Sequence, residues 1–261
     1  MGNSQISSHT PEPTRDCVIV VPCYNESRRL PLAAFQQFVR QNLSVRFLLV
    51  NDGSKDSTVE VIEAMRRGFE QDFQLLDKKL NAGKGEAVRD GMLLACQDPT
   101  VRYVGFWDAD LATPLDTIPL FLHQLDADSS IQMVFGSRVR LLGREVHRKA
   151  SRHYLGRIFA TAVSFILQLP IYDTQCGAKI FRNTPALATV LAQPFISPWV
   201  FDVELLARWK VLRRSDPKYL HRSIYELPLP RWEDIAGSKV HSGDFFRAFV
   251  DILRIYWRYL A

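Results

Sequence analysis

Short apolar runs alternate with stretches of helical periodicity through the first half of this chain. Cys17–Pro22, Val45–Asn51, Phe73–Leu76, Tyr103–Trp107 and Ile131–Gly136 are rich in aliphatic and aromatic residues and read as strands. Between them Leu32–Gln41, Ser57–Arg67, Lys84–Gln97 and Pro114–Leu125 carry apolar residues at helical spacing. Asp56 or Ser57 can cap the second of these helices, with Glu60 near the closing position of a capping box. The alternation predicts βαβ units, hence an α/β fold with a mostly parallel sheet flanked by helices. Past Arg138 it lapses. A long amphipathic segment, Tyr154–Leu169, leads into Asp173–Phe181 and then into helical patterns at Pro185–Leu191 and Phe201–Leu212, which predicts an elaboration packed on the first half rather than a second domain. Near the end, Phe245, Phe246, Phe249, Ile252, Leu253, Tyr256 and Trp257 fall at helical spacing beside Arg247, Arg254 and Arg258. The expected organisation is a flexible tail over residues 1–15, one domain over 16–240 and a terminal amphipathic helix over 241–261.

With 261 residues, 47% of them hydrophobic, the chain can bury one large core. Cys17, Cys23, Cys96 and Cys176 lack CxxC spacing, so neither a zinc site nor a disulfide framework is indicated and a reducing, cytoplasmic setting is expected. No window reaches the ~18 to 20 apolar residues of a spanning helix. The formal charge of +5 favours anionic partners. It is unevenly spread, because within residues 138–157 Arg138, Arg140, Arg144, Arg148, Lys149, Arg152 and Arg157 face only Glu145. A solvated basic face, a phosphate site and contact with an anionic membrane surface all fit that cluster. No nucleic-acid recognition module is evident, so nucleic acid is not an expected partner.

The run Tyr103–Trp107 stops on Asp108-Ala109-Asp110. Two carboxylates at the end of a buried strand put hard oxygen ligands at the mouth of an open sheet, which suits Mg²⁺ or Mn²⁺ holding a diphosphate. The same tripeptide recurs at Asp126–Asp128, but there it follows a helix and precedes Ser129 and Ser130, so it reads as a solvated helix end. The first and second strands also end in polar clusters, Cys23-Tyr24-Asn25-Glu26 and Asn51-Asp52-Gly53-Ser54. Three such ends on one edge predict one cleft. Pro22, Tyr24, Asn25 and Glu26 would line a nucleoside there, and Asp52 can accept the imide proton of uracil or the ring and amino protons of guanine. Asn81-Ala-Gly-Lys84-Gly-Glu-Ala87 opens a helix with a glycine-rich turn whose N–H groups and Lys84 suit an anion. It is not a Walker A loop, lacking that motif's first glycine and its Ser or Thr.

Taken together, Val20-Val-Pro-Cys-Tyr-Asn-Glu26, Val50-Asn-Asp-Gly-Ser-Lys-Asp56, the 81–87 turn, Asp108-Ala-Asp110 and Gly136-Ser-Arg138 resemble the inverting nucleotide-sugar glycosyltransferases of the GT-A fold in glycosyltransferase family 2, over about residues 17–240. Asp173-Thr-Gln-Cys-Gly177, Phe201-Asp-Val-Glu-Leu205 and Gly237-Ser-Lys239 are similar to the dolichyl-phosphate β-glucosyltransferase branch, with polyprenyl-phosphate mannose synthases as near relatives. The resemblance implies a Rossmann-like GT-A domain with an acceptor-side elaboration. It implies that Asp52 recognises the base, that Lys84 and Ala109 belong to the donor site, that Asp108 and Asp110 serve sugar and metal, and that Lys239 sits on a loop closing over the diphosphate. Arg138 would take the acceptor phosphate, with Arg148 or Arg152 as a second clamp. The implied donor is UDP-glucose or GDP-mannose and the implied acceptor a polyprenyl or dolichyl phosphate. Ala112 departs from the mannose-synthase pattern, which has a glutamine metal ligand there, and so favours glucose. The branch usually carries an N-terminal span where this chain has a polar stretch. Two expectations fit that departure: a peripheral contact on the cytoplasmic membrane face, through Arg138–Leu169 or the C-terminal aromatic helix, or a soluble acceptor.

The acceptor decides the catalytic demand. A lipid monophosphate is already ionised, so attack on the anomeric carbon with inversion needs positioning and charge management rather than a strong base. A sugar hydroxyl would need a carboxylate base, for which Asp202, Glu204 and Asp173 are candidates. A nucleotide-sugar-binding protein without turnover is a third reading. A nucleotidyltransferase would open with a glycine-rich first loop, where this chain has Pro22-Cys-Tyr-Asn-Glu26.

Overall fold

A computed structural model describes residues 15–147, 150–235 and 242–261, with side chains described over 15–146, 156–235 and 247–261. The expected first half is present: β1 (Cys17–Cys23), α1 (Leu32–Gln41), β2 (Val45–Asp52), α2 (Thr58–Arg66), β3 (Phe73–Lys78), α3 (Lys84–Cys96), β4 (Tyr103–Trp107), α4 (Ile118–Ala127) and β5 (Met133–Ser137). β2 pairs parallel with both β1 and β3, and β1 with β4. Alternate residues sort to the two faces, as strand geometry requires. Val18, Val20, Leu48 and Val50 meet Ala87, Val88 and Met92 of α3 in one core, while Ile19, Val21, Phe47 and Leu49 meet Phe35, Phe38, Ile62 and Met65 of α1 and α2 in the other. Asp56, rather than a capping box from Ser57, serves the start of α2: its Oδ1 accepts from the N–H of Thr58 at 3.1 Å.

The second half is the expected elaboration packed on the first, and it also contributes strands that were not read in the sequence. Its elements are β6 (Glu145–His147), α5 (Ala150–Leu167), β7 (Ala178–Arg182), α6 (Pro185–Leu191), α7 (Phe201–Leu212), α8 (Tyr219–Ser223), β8 (Ile224–Pro228), β9 (Arg231–Glu233) and α9 (Ser242–Tyr259). The main sheet has the order β3-β2-β1-β4-β7-β5-β8, and β6 with β9 forms a separate two-stranded ribbon. β7 runs antiparallel between β4 and β5, pairing Phe106 with Lys179 on one side and Phe135 with Lys179 on the other. α7 packs against α5, α6 and α9, and its Phe201 and Trp209 reach the rings of Phe106 and Phe181. Burial of Asp202, Glu204 and Arg208 on this same helix follows from that central position. Residues 1–14 of the expected tail lie outside the described residues, and among those described no helix is long and apolar enough to cross a membrane.

Candidate active site

Cys23 pairs with Asn51 and Val20 with Phe106, so the loops after β1, β2 and β4 leave the sheet at the same end. This brings the three polar clusters together. The N–H of Asn25 donates to Ser54 Oγ and its Oδ1 accepts from the N–H of Lys55, both at 2.9 Å, which ties the first loop to the second. Pro22 and Tyr24 are half-buried beside it. Glu26 is nearly covered: its N–H donates to Thr58 Oγ1 at 2.8 Å and its carboxylate takes Arg29 in a two-point contact at 2.6 and 2.9 Å. Asp52 is buried as well. It accepts from the N–H groups of Ala82 and Gly83 at 3.0 and 2.8 Å, with Lys78 Nζ at 3.3 Å. In the structure it braces the turn that opens α3, and reading a base would fall to the lone pairs these donors leave. Gly83 sits in that turn at φ 90°, a region that favours glycine, and delivers Lys84 as the first residue of α3.

Lys84 Nζ stands 2.5 Å from Asp108 Oδ1. The backbone of Asp108 is fixed by its N–H donating to Gly177 O at 2.9 Å, and a Cβ on Gly177 would lie 1.9 Å from Asp108 Oδ2. Only a glycine hydrogen leaves room for that carboxylate. Asp110 Oδ1 accepts from the N–H of Ala112 at 3.1 Å, Ala109 between the two acids is buried, and Trp107 Nε1 anchors the loop beneath by donating to Thr113 O at 2.7 Å. Burial, and then the charge of Asp108, push the Asp110 carboxyl above its ordinary range. Burial works against the Lys84 ammonium, yet Asp108, Asp202 and Asp110 outweigh it and hold its pKa above the usual value. Two half-buried carboxylates near enough for the charge of one to act on the other favour a cation. They fit Mg²⁺ or Mn²⁺ as two hard donors whose shell diphosphate oxygens and water would complete. Among the described residues no group of three or more His, Cys, Asp or Glu forms a closed metal cage. Asp126 and Asp128 are exposed at the end of α4, as expected of a solvated helix end, with Asp128 accepting from the N–H of Ser130 at 2.8 Å.

On the acceptor side, Arg138 follows β5 and donates from Nε and Nη2 to Asp173 at 2.6 and 2.7 Å. Burial disfavours its charge, but Asp173 outweighs that and holds the guanidinium pKa above its ordinary value. Asp173 is itself held by Glu226, which accepts from the N–H groups of Tyr172 and Asp173 at 2.8 Å each. Asp202 pairs with Lys179 at 2.6 Å. Burial raises the Asp202 carboxyl, and the Lys179 charge offsets part of that rise. Lys179 is 1% exposed, donates to Cys176 O at 2.6 Å and has the rings of Phe106 and Phe135 at 5.2 Å on its two flanks. Glu204, fully buried, pairs with Arg208 at 2.6 Å and accepts from the N–H of Ile196 at 2.7 Å. Lys179 and Glu226 were missed in the sequence, where the available signal was a lone charge inside each of two apolar strands. Arg148, Lys149 and Lys239 lie outside the described residues, as does the side chain of Arg152.

The family model Glycosyl transferase family 2 matches residues 18–187. A dolichyl-phosphate beta-glucosyltransferase of Drosophila melanogaster is 32% identical over 95% of this chain and 77% of its own. The Homo sapiens protein of the same name is 29% identical over the same shares, and one from Trichomonas vaginalis is 30% identical over 90% of this chain and 71% of its own. Among solved structures, Mycobacterium tuberculosis glucosyl-3-phosphoglycerate synthase in complex with Mn²⁺, UDP-glucose and phosphoglyceric acid superposes with a TM-score of 0.67 at 17% identity, covering 93% of this chain and 80% of that one. This second likeness is one of fold.

Proposed function

The chain belongs to glycosyl transferase family 2, and from that premise we propose that it transfers glucose from UDP-glucose to the phosphate of dolichol or a related polyprenol, with inversion and with Mg²⁺ or Mn²⁺ as cofactor. The observation that carries the acceptor is the condition of the three candidate bases. Asp173, Asp202 and Glu204 are paired at 2.6 Å with Arg138, Lys179 and Arg208 respectively. None is poised to take the proton of a sugar hydroxyl, whereas an ionised phosphate needs no such base. Relatives whose names specify glucosyl transfer to dolichyl phosphate support the same acceptor and sugar. For the donor, support comes from Ala112 at the position where mannose synthases carry glutamine, and from the Mn²⁺ and UDP-glucose held by a protein of the same fold.

The roles follow from charge. Asp108 and Asp110 would hold the cation, which when bound neutralises the diphosphate and eases its departure. Lys84 turns from Asp108 toward the donor phosphates, and Arg138 trades part of its hold on Asp173 for the acceptor phosphate, aligning it for in-line attack. The 81–84 turn, braced by Asp52, holds the backbone from which the Lys84 side chain swings. Incubation with UDP-glucose or GDP-mannose, each with Mg²⁺ or Mn²⁺ and with dolichyl phosphate or free sugars as acceptor, tests the proposal. Glucosyl transfer to dolichyl phosphate with a β-linkage is expected. Efficient glucosylation of free sugars with dolichyl phosphate ignored, or a preference for GDP-mannose, would overturn it.

A further inference from the structure

α5 and α9 both pack on α7, and each also turns an apolar stripe outward. On α5, Ile158 and Phe165 are 69% and 84% exposed; on α9, Phe249, Leu253 and Trp257 recur every fourth residue at 50%, 41% and 74%. The packing of α9 is already met by Ala248, Ile252 and Ile255, which are buried on a neighbouring face. The outer stripe is therefore surplus to the fold. Phe165 from one stripe and Leu253 from the other line one open groove of about 590 Å³, so the two stripes meet there, and exposed aromatics gathered on one face mark an interaction surface.

Two observations identify what covers it. The first is charge: Arg247, Arg254 and Arg258 are exposed along the edge of the α9 stripe, Arg254 with Asp251 at 3.1 Å, and an aromatic sector bordered by arginines is the composition of helices that lie in the plane of a membrane interface. The second is place. Arg157, next to Ile158, stands 4.0 Å over the ring of Tyr172, whose neighbour Asp173 binds Arg138. The α5 stripe thus starts beside the arm that receives the acceptor phosphate.

We propose that the α5–α9 face seats this protein on an anionic bilayer, with Ile158, Phe165, Phe249, Leu253 and Trp257 entering the interface, the flanking arginines among the headgroups, and the Arg138 arm at headgroup level. The purpose of such seating rests on the lipid-phosphate reading of the acceptor, but the seating is measured without transfer. Co-sedimentation of the full chain with phosphatidylcholine vesicles, with and without phosphatidylserine, is the test. Wild type should bind the phosphatidylserine vesicles and release as salt rises. The double variant Phe165→Asp/Trp257→Asp should bind at least about tenfold more weakly, while Leu43→Asp, an exposed apolar position between α1 and β2, should bind as wild type does. The double variant should also keep transfer to a short-chain, water-soluble polyprenyl phosphate. Absence of that transfer in wild type would sink the functional reading and leave the vesicle result standing. Wild type that ignores both vesicle types, or a double variant that binds them undiminished, overturns the docking face. So does a wild-type dimer in light scattering that the double variant converts to monomer, which would assign the face to a second copy of the chain.

Discussion

The donor and acceptor sides of this cleft hold their charged groups by different means. On the donor side two carboxylates rest chiefly on backbone amides, Asp52 on Ala82 and Gly83 with Lys78 farther off at 3.3 Å, and Asp56 on Ser27 and Thr58, while Glu26 is held by Arg29. On the acceptor side they rest on cationic side chains: Asp173 on Arg138, Asp202 on Lys179, Glu204 on Arg208. An amide dipole steadies a carboxylate without cancelling its charge, so the donor side is a fixed seat. An ion pair can exchange one anion for another, which is the task the proposed function gives Arg138. Asp108 joins the two styles, held by the N–H to Gly177 and by the ammonium of Lys84.

Removing the junction should have the largest effect. Asp108→Ala or Asp110→Ala is expected to lower kcat/KM by at least about 10³-fold, roughly 4 kcal/mol, with the melting temperature close to wild type, whereas Asp126→Ala and Asp128→Ala should stay near wild type in activity. Similar losses from both pairs would remove the distinction between cleft and helix end. Next in size is Lys179→Met, which strands a buried carboxylate and should cost about 3–5 kcal/mol in denaturant unfolding. Lys179→Met/Asp202→Leu should recover most of that, while Asp52→Asn on the donor side should cost only about 1–2 kcal/mol. A reversed order of Lys179→Met and Asp52→Asn would break the comparison outright. Gly177→Ala comes third: its methyl must displace the Asp108 carboxylate, so kcat/KM should fall about 10²-fold in a protein that still folds. Unchanged kinetics would show that Asp108 has another position to work from. The smallest effect sharpens the role of Lys84. Because its ammonium already occupies Asp108, Lys84→Met should tighten Mn²⁺ binding measured without nucleotide by about fivefold and weaken UDP binding, both read by calorimetry. Weaker Mn²⁺ binding in the variant would mean that the lysine does not compete with the metal.

The two sides were unequally legible in the sequence. β1, β2 and β4 announce themselves because each is an apolar run ending on acids or amides a few residues from the turn that fixes them, and Asp108 and Asp110 could be picked out from Asp126 and Asp128 by context alone. β7 was hidden because Lys179 interrupts its apolar run, and that lysine makes sense only once Asp202 and the two flanking phenylalanines are seen around it. The pairing of Arg138 with Asp173 spans a separation that no local periodicity reports. Asp202 drew notice as a possible base because a carboxylate in an apolar helix stands out, whereas its counter-ion Lys179 lies on another element. The bracing contacts of Asp52 with the turn before α3 were likewise invisible, since they depend on how closely that turn folds back on the end of β2.

The antiparallel entry of β7 between β4 and β5 also sets an order of events during synthesis. β4 and β5 are made first: β4 can pair with the earlier β1 but keeps its other edge open, and β5 has no neighbour in the sheet until Ala178–Arg182 arrives to fill the gap. At about 5–20 residues per second, the free edge of β4 waits several seconds on the ribosome, with its backbone donors and acceptors open to any passing strand. The N–H of Asp108, which donates to Gly177 O in the finished fold, goes unanswered through that interval. The nascent chain is most exposed to mispairing while its donor half already looks complete.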